Sequence, residues 1–362
     1  MSLEITINPV EHSRISSLDP ENIVFGKMFT DHMFICDFID GKWQNPRIEP
    51  FGKIPLSPTL SALHYGQAIF EGMKAFKTPD GKVSFFRPLE NHKRLNTSAE
   101  RMCMPQLPEE IFMEGMHCLV NLDKDWIPTK PGSSLYIRPF MFATDDFLGV
   151  KQSETYSFMV YACPVNAYYN HNLKVKVEEH YTRGAKGGVG SAKCAGNYAA
   201  AMYPTKLAQQ AGFDQVLWTD GETHTFLEET GTSNVFVITK DKVYTPELTD
   251  SLLAGITRNS VIALLKDMGK TVVETHISVN DLITWHKEGQ LVEMFVTGTA
   301  ATITNIELFS YKGNKYELNT GIDLLGNQLK AMLSDIRTHA VPDKFNWMLP
   351  LRTALTRDNV LI

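Results

Sequence analysis

The sequence predicts a two-domain protein of the α+β, mixed α/β class, and three observations carry that prediction. The chain is 362 residues long, enough for two domains at roughly 100–200 residues each. Strand-like and helix-like segments interleave along it without a regular βαβ period. The texture also changes once, at a polar stretch where Asn166, Asn170, His171 and Asn172 cluster. The expected division is a smaller N-terminal α/β domain over residues 1–168, a connector over 169–180 and a larger C-terminal domain over 181–362.

In chain order, residues 33–39 read as a strand, and Asp40-Gly41 as the turn of a hairpin into 42–44. Residues 82–86 are a further strand candidate. A helix is expected over 91–102, closed by Pro105. Another follows over 108–122, where Ile111, Phe112, Met116, Leu119 and Val120 recur at helical spacing. Residues 134–142 and 155–165 are dense in aromatic and β-branched side chains, as buried strands are. Beyond the polar stretch, 214–218 leads to an Asp220-Gly221 turn, 234–239 to Lys240-Asp241, and 243–245 follows. A helix over 257–268 stops at Gly269, where a left-handed residue ends helices. Residues 292–296 and 300–306 are strands. Residues 321–339 form a terminal helix with Leu324, Leu325, Leu329, Met332, Leu333 and Ile336 on its apolar side.

Composition removes several classes. The chain is 43% hydrophobic and 21% charged, ordinary for a soluble globular protein, so disorder, collagen and coiled coil are excluded. Lys plus Arg total 35 against 41 Asp plus Glu, a net charge of −6, which gives no bulk attraction for nucleic acid or an anionic membrane. The five cysteines, Cys36, Cys103, Cys118, Cys163 and Cys194, contain no C-x-x-C pair. An odd, scattered set suits a reducing cytosol, no apolar leader opens the chain, and a cytoplasmic protein is expected. The eleven histidines show no metal-ligand spacing, so no metal is expected.

One segment invites a nucleotide-binding reading. Lys186-Gly187-Gly188-Val189-Gly190 resembles the start of a variant phosphate-binding loop. A P-loop needs lysine directly after its last glycine and then Ser or Thr. Here Ser191 and Ala192 hold those places, the lysine arrives late as Lys193, and residues 178–183 are too polar for a preceding buried strand. Taken alone the segment reads as a glycine-rich turn with a solvated lysine. Glycines also let backbone approach a planar group and leave an amine accessible.

Other segments supply what a pyridoxal-phosphate site requires: a lysine, an acid for the pyridine nitrogen and anion donors. Gly255-Ile256-Thr257-Arg258 opens the helix over 257–268, with Thr257 placed as an N-cap, and a helix start attracts phosphate. Glu228 to Asn234 places an acid in a turn that ends buried. Thr297-Gly298-Thr299-Ala300-Ala301 breaks a strand with small residues. Arg94 lies on the 91–102 helix and reads equally as a solvated residue or a phosphate clamp.

Together, in order, these segments resemble the branched-chain amino acid aminotransferases of the fold class IV pyridoxal-phosphate enzymes. The resemblance runs from the segment Phe25 to Met33 through Leu63 to Gly72, Phe86-Arg87-Pro88, Ser134 to Pro139, Gly188 to Tyr198, Glu229 to Asn234 and Leu253 to Arg258, ending at Gly298 to Ala301. It implies a two-domain class IV fold with pyridoxal 5'-phosphate as cofactor. Lys193 falls on the Schiff-base position and Tyr198 on the residue facing the cofactor's phenolic oxygen. Glu229 falls on the partner of the pyridine nitrogen, and Arg183 on an arginine near the cofactor. Arg94, Ile256, Thr257 and Thr299 fall on phosphate positions. Phe25, Tyr65, Phe70, Tyr136 and Arg138 fall on the substrate pocket, and Thr299 and Ala300 on the place where backbone meets the substrate carboxylate. The family further implies a homodimer in which Tyr65 reaches the neighbouring active site. The mammalian members' redox C-x-x-C is absent here, its places taken by Ala301 and Thr304.

The implied activity is transamination of leucine, isoleucine and valine against 2-oxoglutarate, with amino acids and 2-oxo acids as the only partners. A D-amino acid transaminase or an aminodeoxychorismate lyase shares the fold. The Phe29-Thr30-Asp31-His32-Met33 segment and the Gly187-Gly188-Val189-Gly190 stretch before Lys193 favour the branched-chain enzyme. Arg138 stands two residues after Tyr136 on a strand candidate, so the two side chains should share a face. Arg138 then either meets the distal carboxylate of glutamate or anchors the strand by a buried ion pair.

Overall fold

The segments rich in β-branched and aromatic residues pair into two sheets, one in each of two compact units. The computed structural model describes residues 3–166 and 171–352. The first unit comprises Met1–Tyr168, Ala192–Ala195 and Ser334–Ile362, and the second Tyr169–Ser191 and Gly196–Leu333.

In the first unit, nine strands are seen among the described residues. Eight run in the order Thr6–Ile7, Lys42–Pro50, His32–Ile39, Tyr156–Val165, Ser134–Ala143, Met73–Lys77, Val83–Phe86 and Met348–Pro350, and Ala68–Phe70 pairs with Ser134–Ala143. The two central strands pair along their full length, Ser134 opposite Val165 and Ala143 opposite Tyr156. Both are largely buried, which is why they lack a clean polar alternation. Asp40 and Gly41 both take positive φ (52° and 72°), the mirror-image turn that fits strand twist. The helix expected over 91–102 spans Pro88–Arg101, and Glu109–Leu122 forms where apolar spacing predicts it, burying Ile111, Phe112, Met116, Leu119 and Val120.

The second unit also shows nine strands among its described residues. Their path is Leu227–Thr230, Gln215–Thr219, Leu173–Val177, Thr302–Tyr311, Leu291–Gly298, Ser233–Thr239, Val243–Thr245 and Val272–Glu274, with Asn314–Glu317 on Thr302–Tyr311. Leu173–Val177 lies inside the expected connector: Leu173, Val175 and Val177 are buried while the lysines between them point away. Tyr169 and Asn170, the first connector residues, lie outside the described residues, as does Tyr168. The strand also corrects the expectation that no buried strand precedes the glycine-rich loop. The loop still lacks a P-loop's lysine register. Ala195–Gln210, unforeseen because Gly196, Asn197 and Pro204 interrupt it, forms a helix directly after Lys193. The helix expected over 257–268 spans Ile256–Asp267 with Gly255 at its N-cap, so Thr257 belongs to the first turn and does not cap. The terminal helix is shorter than expected, Leu325–Arg337. Among the described residues no helix is long and apolar enough to cross a membrane.

Candidate active site

The first unit gathers Lys193, Phe70, Arg94, Tyr136 and Arg138. Lys193 is held by its backbone: its N–H donates to Ser98 Oγ (2.9 Å), and its carbonyl accepts from the Phe70 N–H (3.0 Å). A bridge between Ile69 and Cys194 continues this pairing. The lysine side chain is only half-buried, with Nζ 4.6 Å from the Phe70 ring centroid. The Arg138 guanidinium lies 4.7 Å from the same centroid and donates to Tyr136 Oη at 3.0 Å. Residues 136 and 138 thus share a face of their strand. Phe25 meets the Tyr136 ring edge-on at 5.0 Å. Tyr65, on the short helix Ser61–Tyr65, is 44% exposed.

Between Phe70 and Gly72 stands a residue that sequence reasoning passed over. Glu71 is completely buried and accepts from Arg94 through Nε (2.7 Å) and Nη2 (2.9 Å). Asn91 Nδ2 (2.7 Å) and the Gly72 N–H (3.1 Å) complete its partners. Burial pushes the Glu71 carboxyl up, but the Arg94 charge and hydrogen bonds, with Lys193 and Asn91, outweigh it and hold it below the usual carboxylate range. Gly72 is required by contact: a Cβ there would stand 2.1 Å from Tyr136 Oη.

The second unit gathers Glu229, Arg183 and the start of the Ile256–Asp267 helix. Glu229 lies in Leu227–Thr230, a strand and not a turn, and is 2% exposed. Its Oε2 pairs with Arg183 Nη2 at 3.1 Å, and its Oε1 accepts from the Leu253 N–H. Asn234 ties the same region together, donating to the Leu253 carbonyl at 3.0 Å. The glycine-rich loop packs on Asp250 and Ser251: Ser191 N–H donates to the Asp250 carbonyl (2.7 Å) and Arg183 Nη1 to the Ser251 carbonyl (2.9 Å). Gly190 serves that packing, since a Cβ would lie 2.4 Å from the Ser251 carbonyl oxygen. Within this unit its glycine therefore answers to the chain itself. Thr257 is buried and Ile256 half-buried at a helix start without a side-chain cap. Thr299 and Ala300 occupy the turn between Leu291–Gly298 and Thr302–Tyr311, and Tyr198 is half-buried on Ala195–Gln210.

Glu228, beside Glu229, has a different environment. Burial pushes its carboxyl up to about 7, against a hydrogen bond from Ser251 and with the Glu229 charge adding to the rise. The Thr30-Asp31-His32 segment is also explained, as an anchor for the N-terminal arm. Asp31 accepts from Trp126 Nε1 (2.8 Å), Ser13 and Arg14, while His32 joins Asp123 (2.6 Å) to the Val10 N–H (3.1 Å).

Residues 68–309 match the family model described as Amino-transferase class IV, which defines the class of protein that this fold and these residues represent. A branched-chain-amino-acid transaminase of Bacillus subtilis (strain 168) is 44% identical over 335 residues, spanning 91% of this chain and 94% of that protein. Two solved structures share the fold. One is the branched-chain aminotransferase of Thermoproteus uzoniensis with norvaline (TM-score 0.73, 22% identity, 88% of this chain and 100% of that one). The other is the Thermobaculum terrenum enzyme in its PLP form (TM-score 0.73, 22% identity, 88% and 98%). The chain belongs to the class IV aminotransferases, among the branched-chain aminotransferases. Class IV aminotransferases depend on pyridoxal phosphate.

Proposed function

We propose that this chain is a pyridoxal-phosphate-dependent transaminase exchanging the amino group between L-leucine, L-isoleucine or L-valine and 2-oxoglutarate. The observation that carries the reading is the Phe70 ring, 4.6 Å from the Lys193 amine and 4.7 Å from the Arg138 guanidinium. An amine beside an apolar aromatic wall suits a branched substrate, and the nearby cation suits glutamate. Burying the second carboxylate of glutamate without a partner would cost several kcal/mol.

Each unit carries donors that suit the cofactor: the first a half-buried amine and an arginine, the second a buried carboxylate with its own counter-charge and a helix start without a side-chain cap. The cofactor, when bound, supplies an electron-withdrawing ring that takes up the charge left on the substrate α-carbon. Lys193 would hold the cofactor's aldehyde carbon, and its Nζ, once displaced by the substrate amine, would move the substrate Cα proton. Glu229 holds a proton at the ring nitrogen, with Arg183 orienting the carboxylate, and Tyr198 faces the phenolic oxygen. Arg94, Ile256, Thr257 and Thr299 receive the phosphate. Phe25, Phe70 and Tyr136 form the apolar wall, Thr299 and Ala300 receive the α-carboxylate, and Arg138 meets the distal one.

The enzyme works as a cytoplasmic homodimer, a reading supported by five free cysteines, four of them buried, and by the exposure of Tyr65, as suits a residue serving the neighbouring subunit. Residues 1–168 and 181–362 act as its two domains, except that Ala192–Ala195, with Lys193, and Ser334–Ile362 group with the first. Lys193→Ala tests the core of this reading. Borohydride reduction of the wild type should fix the cofactor to the peptide containing Lys193, and the variant should take no label. Its turnover should fall by at least the ~10²–10⁴-fold that lost acid–base catalysis costs. Labelling at another lysine would refute the assignment.

A further inference from the structure

One face of the Pro88–Arg101 helix carries Asn91, Arg94 and Ser98 at helical spacing, i, i+3 and i+7. Asn91 and Arg94 grip Glu71, and Ser98 receives the Lys193 N–H. Phe70, next to Glu71, returns a backbone hydrogen bond to the Lys193 carbonyl. A closed frame results: helix face, Glu71, Phe70, Lys193, and back to the helix.

Arg94 brings to that frame a long side chain that would otherwise have considerable rotamer freedom. Glu71 removes the freedom by holding Nε and Nη2 together in the paired fork geometry that arginine and carboxylate favour. A carboxylate with no exposure and four donors is itself fixed.

We propose that Glu71 is a positioning residue that locks the Arg94 fork at a set place relative to Lys193, so that the arginine meets the cofactor's phosphate without reorganising. This rests on the assignment of Arg94 to the phosphate. Glu71 touches neither cofactor nor substrate in this role. Its effect is confined to ligands that carry a phosphate, which separates positioning from general support of the fold.

The test compares pyridoxal phosphate with pyridoxal, which lacks the phosphate, on the full chain by equilibrium dialysis. Glu71→Gln should weaken pyridoxal phosphate binding by about tenfold, the size of one charged hydrogen bond, and leave pyridoxal within about twofold. Asn91→Ala, which removes one donor and keeps the ion pair, should shift the ratio the same way by a smaller factor. It decides the matter if Glu71→Gln does not fold. Equal losses for both ligands, or no change in either, would overturn the proposal. Arg94→Lys separates the two layers. If it leaves the ratio unchanged, the phosphate assignment of Arg94 fails; if it moves the ratio and Glu71→Gln does not, only the positioning role fails.

Discussion

The Phe70-Glu71-Gly72 segment of the first unit and the Glu228-Glu229 strand of the second each bury carboxylates, and they treat them differently. Glu71 has no exposure, yet its pKa lies below the ordinary value, because Arg94, Asn91 and Lys193 outweigh desolvation. Glu228 is 6% exposed and its pKa rises to about 7, because a Ser251 hydroxyl is a weaker answer to burial and Glu229 adds like charge. Depth of burial does not set the state of a buried acid; the supply of charged donors does. Glu229, like Glu71, has an arginine partner: Arg183, together with the Leu253 N–H. The two acids with arginine partners are those proposed for the site, and the one answered only by a hydroxyl has its carboxyl pushed up.

That contrast breaks first at Glu229. Glu229→Gln keeps the volume and removes the charge facing Arg183. The single-turnover rate with leucine should drop by about 10- to 100-fold, the equivalent of one charged hydrogen bond, while the protein stays folded. An unchanged rate would mean that the buried charge has no part in the α-proton step.

A smaller effect sharpens the other side. Glu228 binds its proton more tightly when folded, about 7 against 4.5 for the ordinary group. Its contribution is therefore complete at low pH and is lost as pH rises from about 4.5 through 7. Glu228→Gln should match wild type in thermal stability near pH 4 and exceed it by a few °C at pH 8, since about 1 kcal/mol moves a protein of this size by a few degrees. A variant that gains nothing at high pH would show that Glu228 finds a compensating partner.

The sequence was most legible where chemistry and local pattern coincide. Lys193 sits in a glycine-rich segment, Glu229 before an apolar strand, and the helix at Ile256 after Gly255; local pattern marked those segments, and the resemblance to the branched-chain aminotransferases named the individual residues. What joins those residues was not legible. The Glu71–Arg94 pair spans 23 positions and the Lys193–Ser98 bond 95, and no local spacing encodes either. The Leu173–Val177 strand does alternate at period two, but the asparagines preceding it drew it into a polar connector. Thr257 shows the opposite error: a good capping residue was credited with the cap, whereas the helix starts one residue earlier, at Ile256, with Gly255 in the capping place. Glu71 was read as a letter of a motif and proves to be its best-paired residue.

In the proposed enzyme one pocket serves an apolar and an acidic side chain, with Arg138 reserved for the second. Half-reactions of wild type and Arg138→Met with L-leucine and L-glutamate, followed by the cofactor's absorbance, test it most directly. Both amino acids should convert the wild type. In the variant the glutamate half-reaction should slow by about 10- to 100-fold, since a charged hydrogen bond is worth about 1.5–3 kcal/mol, while the leucine half-reaction changes little. Equal losses with both substrates would contradict it, leaving Arg138 as a brace for Tyr136 and Phe70 and not a reader of substrate.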